Sequence, residues 1–353
     1  MTMKQKQAQT TIPSMALKFD RPVVAWAMLG ALLFVFEWFV LGSWVFGSNF
    51  VPTDPGLDEI TRLQEVYFLV LQIAVPLVCF ICLYVWVLVP WRRDGHLNSD
   101  ALLALAAAMI FFWDMCMNYT SVQLLYNSNM INFGAWANDA WPSWTSPNAH
   151  LLPEPIFVTI PGYTCMVFGQ VVFICWLLRQ WVARRPNTST LEVIGLIVFG
   201  LFVIDSSIEV LLIRTGVYAY PGGIRELTLF AGETYQFPLT EGFLFGGLGL
   251  GAMAVLKFFK DDRGQTFVEK GSERLKLSPI KKQWVRFFAI FGFCHGVFLV
   301  LYMVPNQWLA THSDPFPENY PSYMLNGMCV SGVDEQQCPG PGVAMPRPME
   351  NPL

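Results

Sequence analysis

The stretch ALLALAAAMIFFWDMCMNYTSVQL, Ala101 to Leu124, decides the architecture. It runs apolar from Ala101 to Trp113 and then carries Asp114 and Asn118. A helix needs about 20 predominantly apolar residues to cross a bilayer, so the stretch qualifies only if an acid and an amide are accepted inside the membrane. As a helix it sets Asp114 and Asn118 on one face, because residues four apart lie one above the other.

The chain on either side supports counting it. Apolar runs predict further spans over 22–46, 65–90, 156–182, 190–215, 238–259 and 284–305, with this one at 101–124. The segment 1–21 reads as a disordered cytoplasmic leader, 22–305 as a seven-helix membrane domain and 306–353 as an irregular extracytoplasmic tail. Met1 to Asp20 is polar and the first apolar run is too long for a signal peptide, so it is expected to remain as a helix. Lys and Arg distribution tests the count independently. With the N-terminus inside, 18 of 22 fall in cytoplasmic segments: Lys4, Lys6, Lys18 and Arg21, then Arg92 and Arg93, then Arg179, Arg184 and Arg185, then nine between Lys257 and Arg286. Only Arg62, Arg214, Arg225 and Arg347 fall outside. One span more or fewer would scramble that alternation. The positive-inside rule therefore predicts an all-α, polytopic transmembrane bundle of about seven spans, N-in and C-out. A bacterial inner or plasma membrane is the expected host.

Composition agrees. Of 353 residues, 54% are hydrophobic and 14% charged, against about 25% charged in a soluble domain. Cys329 and Cys338 lie in the polar tail and can close a short disulfide if that side is oxidising. Cys79 and Cys82 form a C-x-x-C pattern, but a helix in lipid is a poor place for thiolate chemistry. The outer loops 127–154 and 215–242 are rich in aromatic residues, including Trp136, Trp141 and Trp144. They suit either a lid over the bundle or an interfacial belt.

The ionisable residues inside the spans cluster. Glu37 sits in span one, Asp114 in three, Asp205 and Glu209 four apart in five, Glu241 at the start of six, and His295 in seven. Tyr163 and Gln170 share a face of span four. Four deep carboxylates, ionised and unpaired, would cost on the order of 10 kcal/mol. No Lys or Arg lies deep in any span to offset this. A hydrated chamber that holds protons between acids removes the cost, and an acid beside its conjugate base is a general acid–base pair. Singly, each residue has a blander role: Glu37 and His295 in interhelical hydrogen bonds, Asn118 as helix glue. Gly242, Gly246, Gly247 and Gly251 in span six read as close helix approach, or as a smooth wall for an apolar ligand.

Several functions are excluded. Retinal attachment needs a deep lysine, and haem or di-iron sites need more than the single deep histidine present. Zinc proteolysis lacks H-E-x-x-H, and no phosphate-binding loop occurs. No metal or other cofactor is expected, nor a nucleic-acid partner. The sequence leaves protein partners open.

Trp113-Asp114, Asn118-Tyr119, Tyr126-Asn127-Ser128, Asn132-x-Gly134-x-Trp136, Trp141-Pro142, Pro147, Pro153-Glu154-Pro155 and Tyr163 follow one another in an order that resembles the AveC-like spirocyclase family. Asp205 to Glu209, followed by GVYAYPG, is similar to that family's later region. The resemblance implies a multi-span membrane protein; a member of that family closes a dihydroxy-ketone into a spiroketal, but neither its substrate nor any catalytic residues carry over. From the chemistry, Asp114 with Asp205 or Glu209 are the candidate catalytic residues. Candidate substrate-binding residues are Glu37, Asn118, Tyr126, Asn127, Trp136, Tyr163, Glu241 and His295. The expected partners are the bilayer and a lipophilic polyketide-, sterol- or terpenoid-like molecule undergoing cyclisation, dehydration or isomerisation. A lipid-binding or transport subunit, or a non-catalytic subunit of a membrane complex, would use the same features.

Overall fold

A computed structural model describes residues 21–119, 122–136, 140, 151–314, 317 and 320–326. The leader 1–20, the tail beyond 326 with Cys329 and Cys338, and Trp141 and Trp144 lie outside the described residues. Among the described residues, seven helices are long and apolar enough to cross a membrane: α1 Pro22–Val45, α2 Arg62–Asp94, α3 Ser99–Tyr119, α4 Thr159–Arg184, α5 Thr190–Arg214, α6 Leu239–Phe258 and α7 Pro279–Ala310. The innermost is α3, whose alanine-rich start, Ala101 to Ala107, is almost entirely buried.

Helix ends follow local chemistry. Capping boxes at Thr61 with Gln64 and at Ser189 with Glu192 open α2 and α5, satisfying backbone N–H groups that lack helical partners. Pro22 and Pro279 stand in the first turns of α1 and α7, where a missing N–H costs nothing. Small residues decide the closest contact: a side chain added at Gly30 would overlap the Phe288 carbonyl of α7. One added at Gly292 would meet the backbone of Trp26 and Gly30. Backbones approach this closely only where side chains are absent. The span-six glycines likewise serve helix approach, with Gly246 against Asp205 and Gly251 against Val198 of α5.

Helical geometry changes where the interior becomes polar. After Ala107, α3 tightens into 3₁₀ turns, Ile110–Trp113 and Met115–Tyr119. Wider π-helical turns occupy Tyr163–Val167 in α4, Gly242–Leu250 in α6 and Phe298–Met303 in α7, and a further one, Tyr84–Leu88 in α2, lies in an apolar run away from the polar interior. Such turns re-aim side chains and recur at functional sites.

At one end, the described parts of the loops, 46–61, 122–136, 151–158, 215–238, 311–314 and 320–326, hold one another. Thr53 N–H donates to Asn132 Oδ1 at 3.0 Å, Trp44 Nε1 to the Phe133 carbonyl at 3.2 Å and Ser128 N–H to the Tyr323 carbonyl at 3.0 Å. A two-stranded ribbon joins β1, Leu125–Tyr126, to β2, Tyr218–Ala219, antiparallel with Tyr126 opposite Tyr218. A second pairs β3, Thr228–Leu229, with β4, Phe237–Pro238. These loops cap the bundle.

At the other end the basic linker after α6 is partly folded in. Glu269 is fully buried and accepts from Arg286 Nε at 2.8 Å. Lys257 and Lys260 both reach Asp100, each at 2.7 Å. Charge pairing with neighbouring helix ends draws the linker against the bundle, and Val23 N–H donates to the Lys270 carbonyl.

Candidate functional site

A cavity beneath the cap is lined by Asp114 of α3, Tyr163 and Gln170 of α4, Asp205 and Glu209 of α5, Glu241 and Phe245 of α6 and Tyr302 of α7. Tyr126, Tyr218 and Tyr220 complete it from the ribbon region. Among the described residues its lining includes four carboxyl groups and no Lys, Arg or His. The interior is narrow, with about 90 Å³ open to water-sized groups.

Each acid is held by a neutral partner. Asp114 follows the first 3₁₀ turn, and both its oxygens accept from tyrosines: Oδ2 from Tyr126 at 2.5 Å, Oδ1 from Tyr163 at 2.9 Å. The β1–β2 pairing fixes the Tyr126 backbone beside Tyr218, and the two rings pack 5.6 Å apart. Helical spacing sets Asp205 and Glu209 on one face of α5. Gln170 Nε2 donates to Asp205 Oδ1 at 3.0 Å, while Asp205 Oδ2 and Gln170 Oε1 are buried without a hydrogen-bond partner. A Cβ at residue 246 would lie 2.6 Å from Asp205 Cβ, so glycine there lets α6 pass the acid. Tyr220 donates to Glu209 Oε2 at 2.8 Å, and the Tyr218 hydroxyl approaches the same carboxyl. Tyr302 donates to Glu241 Oε1 at 2.5 Å, with Asn306 Nδ2 3.4 Å from Oε2.

Burial first, then the charge of nearby acids, pushes the hydroxyls of Tyr126, Tyr218 and Tyr220 well above the usual tyrosine range. They keep their protons and remain hydrogen-bond donors. Beside them Glu154, in the Pro153-Glu154-Pro155 segment that precedes α4, is fully buried. Neither of its oxygens has a hydrogen bond of good geometry, although the Thr159 hydroxyl is near. Burial, and secondly the charge of Asp114, lifts its carboxyl well above the ordinary range.

A smaller polar chamber adjoins the cavity and shares Tyr220 and Glu241 with it. Gln123, Thr240, Asn306 and Ser313 also line this chamber, which has about 20 Å³ open to water-sized groups. A water needs roughly 10–15 Å³ measured this way and two to four polar partners. The chamber meets both conditions.

The structure thus gathers Asp114, Asp205, Glu209, Tyr126, Tyr163 and Glu241 on one cavity and leaves five candidates out of its lining. Glu37 and His295 instead face each other between α1 and α7, Oε1 to Nδ1 at 2.6 Å. Trp113 Nε1 is also 3.0 Å from that Nδ1, the Ala106 carbonyl is 3.1 Å from Nε2, and the Phe291 ring stacks on the imidazole. Their groups are engaged in holding α1, α3 and α7 together. Asn118 caps the end of α3: Oδ1 accepts from the N–H groups of Gln123 and Leu124, and Nδ2 donates to the Leu124 carbonyl. The 3₁₀ turns also remove the shared face expected for Asp114 and Asn118 on a regular helix. Asn127 donates to the Gly216 carbonyl and accepts from Asn129, tying the cap loops. Trp136 is buried against Trp44 and donates to the Phe112 carbonyl at 2.8 Å. These four kinds of engagement turn side chains toward backbone and neighbouring rings.

Sequence reasoning did not single out Tyr218, Tyr220, Tyr302 or Glu154 as site residues. The two-residue spacing of Tyr218 and Tyr220 puts both on one side of an extended strand, which is a usable signal within GVYAYPG. Tyr302 carries none, because an aromatic residue in a span is ordinary core.

Among the described residues, no group of three or more His, Cys, Asp and Glu side chains has a metal-holding arrangement. Comparison with curated proteins and with solved structures gave no match. The sequence model of the Spirocyclase AveC-like family matches residues 91–325, which contain all four cavity acids. The chain belongs to the Spirocyclase AveC-like family, a membership that suggests a membrane-associated, cyclase-type role.

Proposed function

We propose that this protein closes rings by acid–base catalysis, acting within the membrane on a lipophilic, oxygenated substrate of polyketide, sterol or terpenoid type. The observation that carries the reading is the convergence of Asp114, Asp205, Glu209 and Glu241 on one cavity with no basic residue among the described residues of its lining. Family membership supports the cyclase class.

The chemistry follows from that lining. In spiroketal closure a substrate hydroxyl adds to a ketone, giving a hemiketal. A carboxylic acid then donates its proton to the hemiketal hydroxyl, which leaves as water. The oxocarbenium ion formed is stabilised by a carboxylate, and no fixed cation in the lining opposes it. A second hydroxyl attacks, and its proton passes to the carboxylate. The sum is a dihydroxy-ketone converted to a spiroketal and one water, with the proton pair restored. Asp114 with Asp205 or Glu209 forms the pair in this reading. Asp205 Oδ2, buried without a partner, is the oxygen free to receive a substrate hydroxyl. The tyrosines orient Asp114 and Glu209. The chamber beyond Glu241 offers the departing water a polar refuge. Dehydration and isomerisation would use the same acid–base pair.

The test incubates purified protein with a long-chain dihydroxy-ketone and follows loss of one water by mass spectrometry. Asp114→Asn and Asp205→Asn should each lower the rate by roughly 10²–10⁴-fold, the usual yield of a positioned acid or base, while both proteins still insert. Full turnover in both variants would defeat the assignment. Retention of unchanged ketone by the wild type, without product, would mark a binding or transport protein instead.

A further inference from the structure

The mouth of the cavity shows how a substrate reaches it. Every wall residue from α3, α6, α7 and the ribbon region is buried, including Asp114, Glu241, Tyr302 and Tyr220. Among the described lining residues, partial exposure is confined to α2, α4 and α5, at Leu71, Met166, Val167, Ile208, Glu209 and Leu212. Apart from Glu209, this rim is apolar. The neighbouring side chains Val70 and Leu211 are exposed on the bundle's outer surface, where the bilayer lies.

Helix packing leaves this window open. In its lower part, Phe168–Arg184, α4 packs on α5, with Ile174 filling the space at Gly200. Higher up, the π turn Tyr163–Val167 packs on α2 instead. Above the window, Thr215 donates to Tyr67 at 3.4 Å, and Gln64 packs against Gly216, so α2 and α5 close again under the cap. The window therefore faces the apolar layer, bounded above and below.

Size and charge restrict what passes through it. The narrow interior of about 90 Å³ has room for an oxygenated end group, whereas pockets that take up a whole drug-sized ligand measure roughly 300–1,000 Å³. A lining of acids and hydroxyls without a cation disfavours phosphate and carboxylate heads, which like-charge repulsion and desolvation both penalise.

We infer that the substrate is an elongated lipophile with an uncharged hydroxyl- or carbonyl-bearing end, which enters sideways from the bilayer between α4 and α5 and leaves its apolar remainder in lipid. This deepens the cyclase reading of the same cavity and rests on it for the word substrate, but the route and the ligand class can be read without turnover.

The experiment uses the full chain in lipid nanodiscs with two photoreactive probes: a sixteen-carbon alcohol bearing a diazirine beside the hydroxyl, and the matching fatty acid at a pH where it is ionised. After illumination, peptide mass spectrometry locates the adducts. The alcohol should label α5 at Asp205 or Glu209, or α3 at Asp114, at least tenfold more than the fatty acid does. Narrowing the rim with Met166→Trp and Ile208→Trp should cut that labelling at least tenfold. Equal labelling with and without the tryptophans overturns the lateral route, and absence of cavity adducts in the wild type overturns the ligand class. Should the tryptophan proteins fail to insert, an alcohol probe with its diazirine at the far end decides. Adducts at Leu211 or Val70 support the route, and adducts confined to the cap loops overturn it. Failure here leaves the Asp205→Asn turnover result unaffected, so the two proposals fall separately.

Discussion

At Asp114 two tyrosine hydroxyls occupy both oxygens of a single buried acid. A hydrogen bond to a charged group contributes about 1.5–3 kcal/mol, and each 1.36 kcal/mol is about tenfold in rate. Tyr126→Phe should therefore slow turnover roughly ten- to a hundredfold, measured with the same ketone. An unchanged rate would mean that Asp114 needs no such orientation. Glu154 makes a different prediction, about pH. Burial and the Asp114 charge hold its carboxyl above the ordinary glutamate value of 4.5. The folded protein keeps a proton that the unfolded chain releases, so its contribution to stability is complete below that value. The contribution fades as pH climbs toward the folded-state value. Between about pH 5 and about pH 8 the melting temperature in detergent should fall for the wild type and fall less steeply for Glu154→Gln. Parallel slopes would show that the carboxyl is not held neutral by the fold.

At the scale of elements, the helices are specified where side chains are missing as much as where they are present. An added Cβ at Gly30 has no room beside Phe288, whereas one at Gly42 of the same helix meets nothing within 4 Å. Gly30→Ala should destabilise by about 1–3 kcal/mol or more, the cost of overpacking, with no loss in Gly42→Ala. Thermal unfolding in detergent separates them. Equal melting points would mean that α1 and α7 do not approach as described. The seven spans themselves were legible from hydropathy, to within a few residues at most ends. The departures were not: 3₁₀ turns in α3 and π turns in α4, α6 and α7 leave no periodic trace in an apolar stretch. Because of them Asn118, four residues from Asp114, turns to the backbone of Gln123 and Leu124.

For the whole molecule, the distribution of acids over separate helices was visible in the sequence, since an acid within an apolar run stands out. Which acids meet was not. Glu37 and His295 satisfy the same description as Asp205, yet tertiary packing pairs them with each other. Glu154 lies outside every span and is still buried beside Asp114, because the cap folds down over the bundle. In the proposed mechanism, acids from α3 and α5 act on one substrate in one cavity. The most direct measurement is a double-mutant cycle on turnover with Asp114→Asn, Asp205→Asn and the combination. Groups that act as a unit are strongly non-additive, so the double variant should be about as slow as the slower single variant. Losses that multiply, with the double variant slower by the product of the two single effects, would show that the two acids work independently and contradict the shared site.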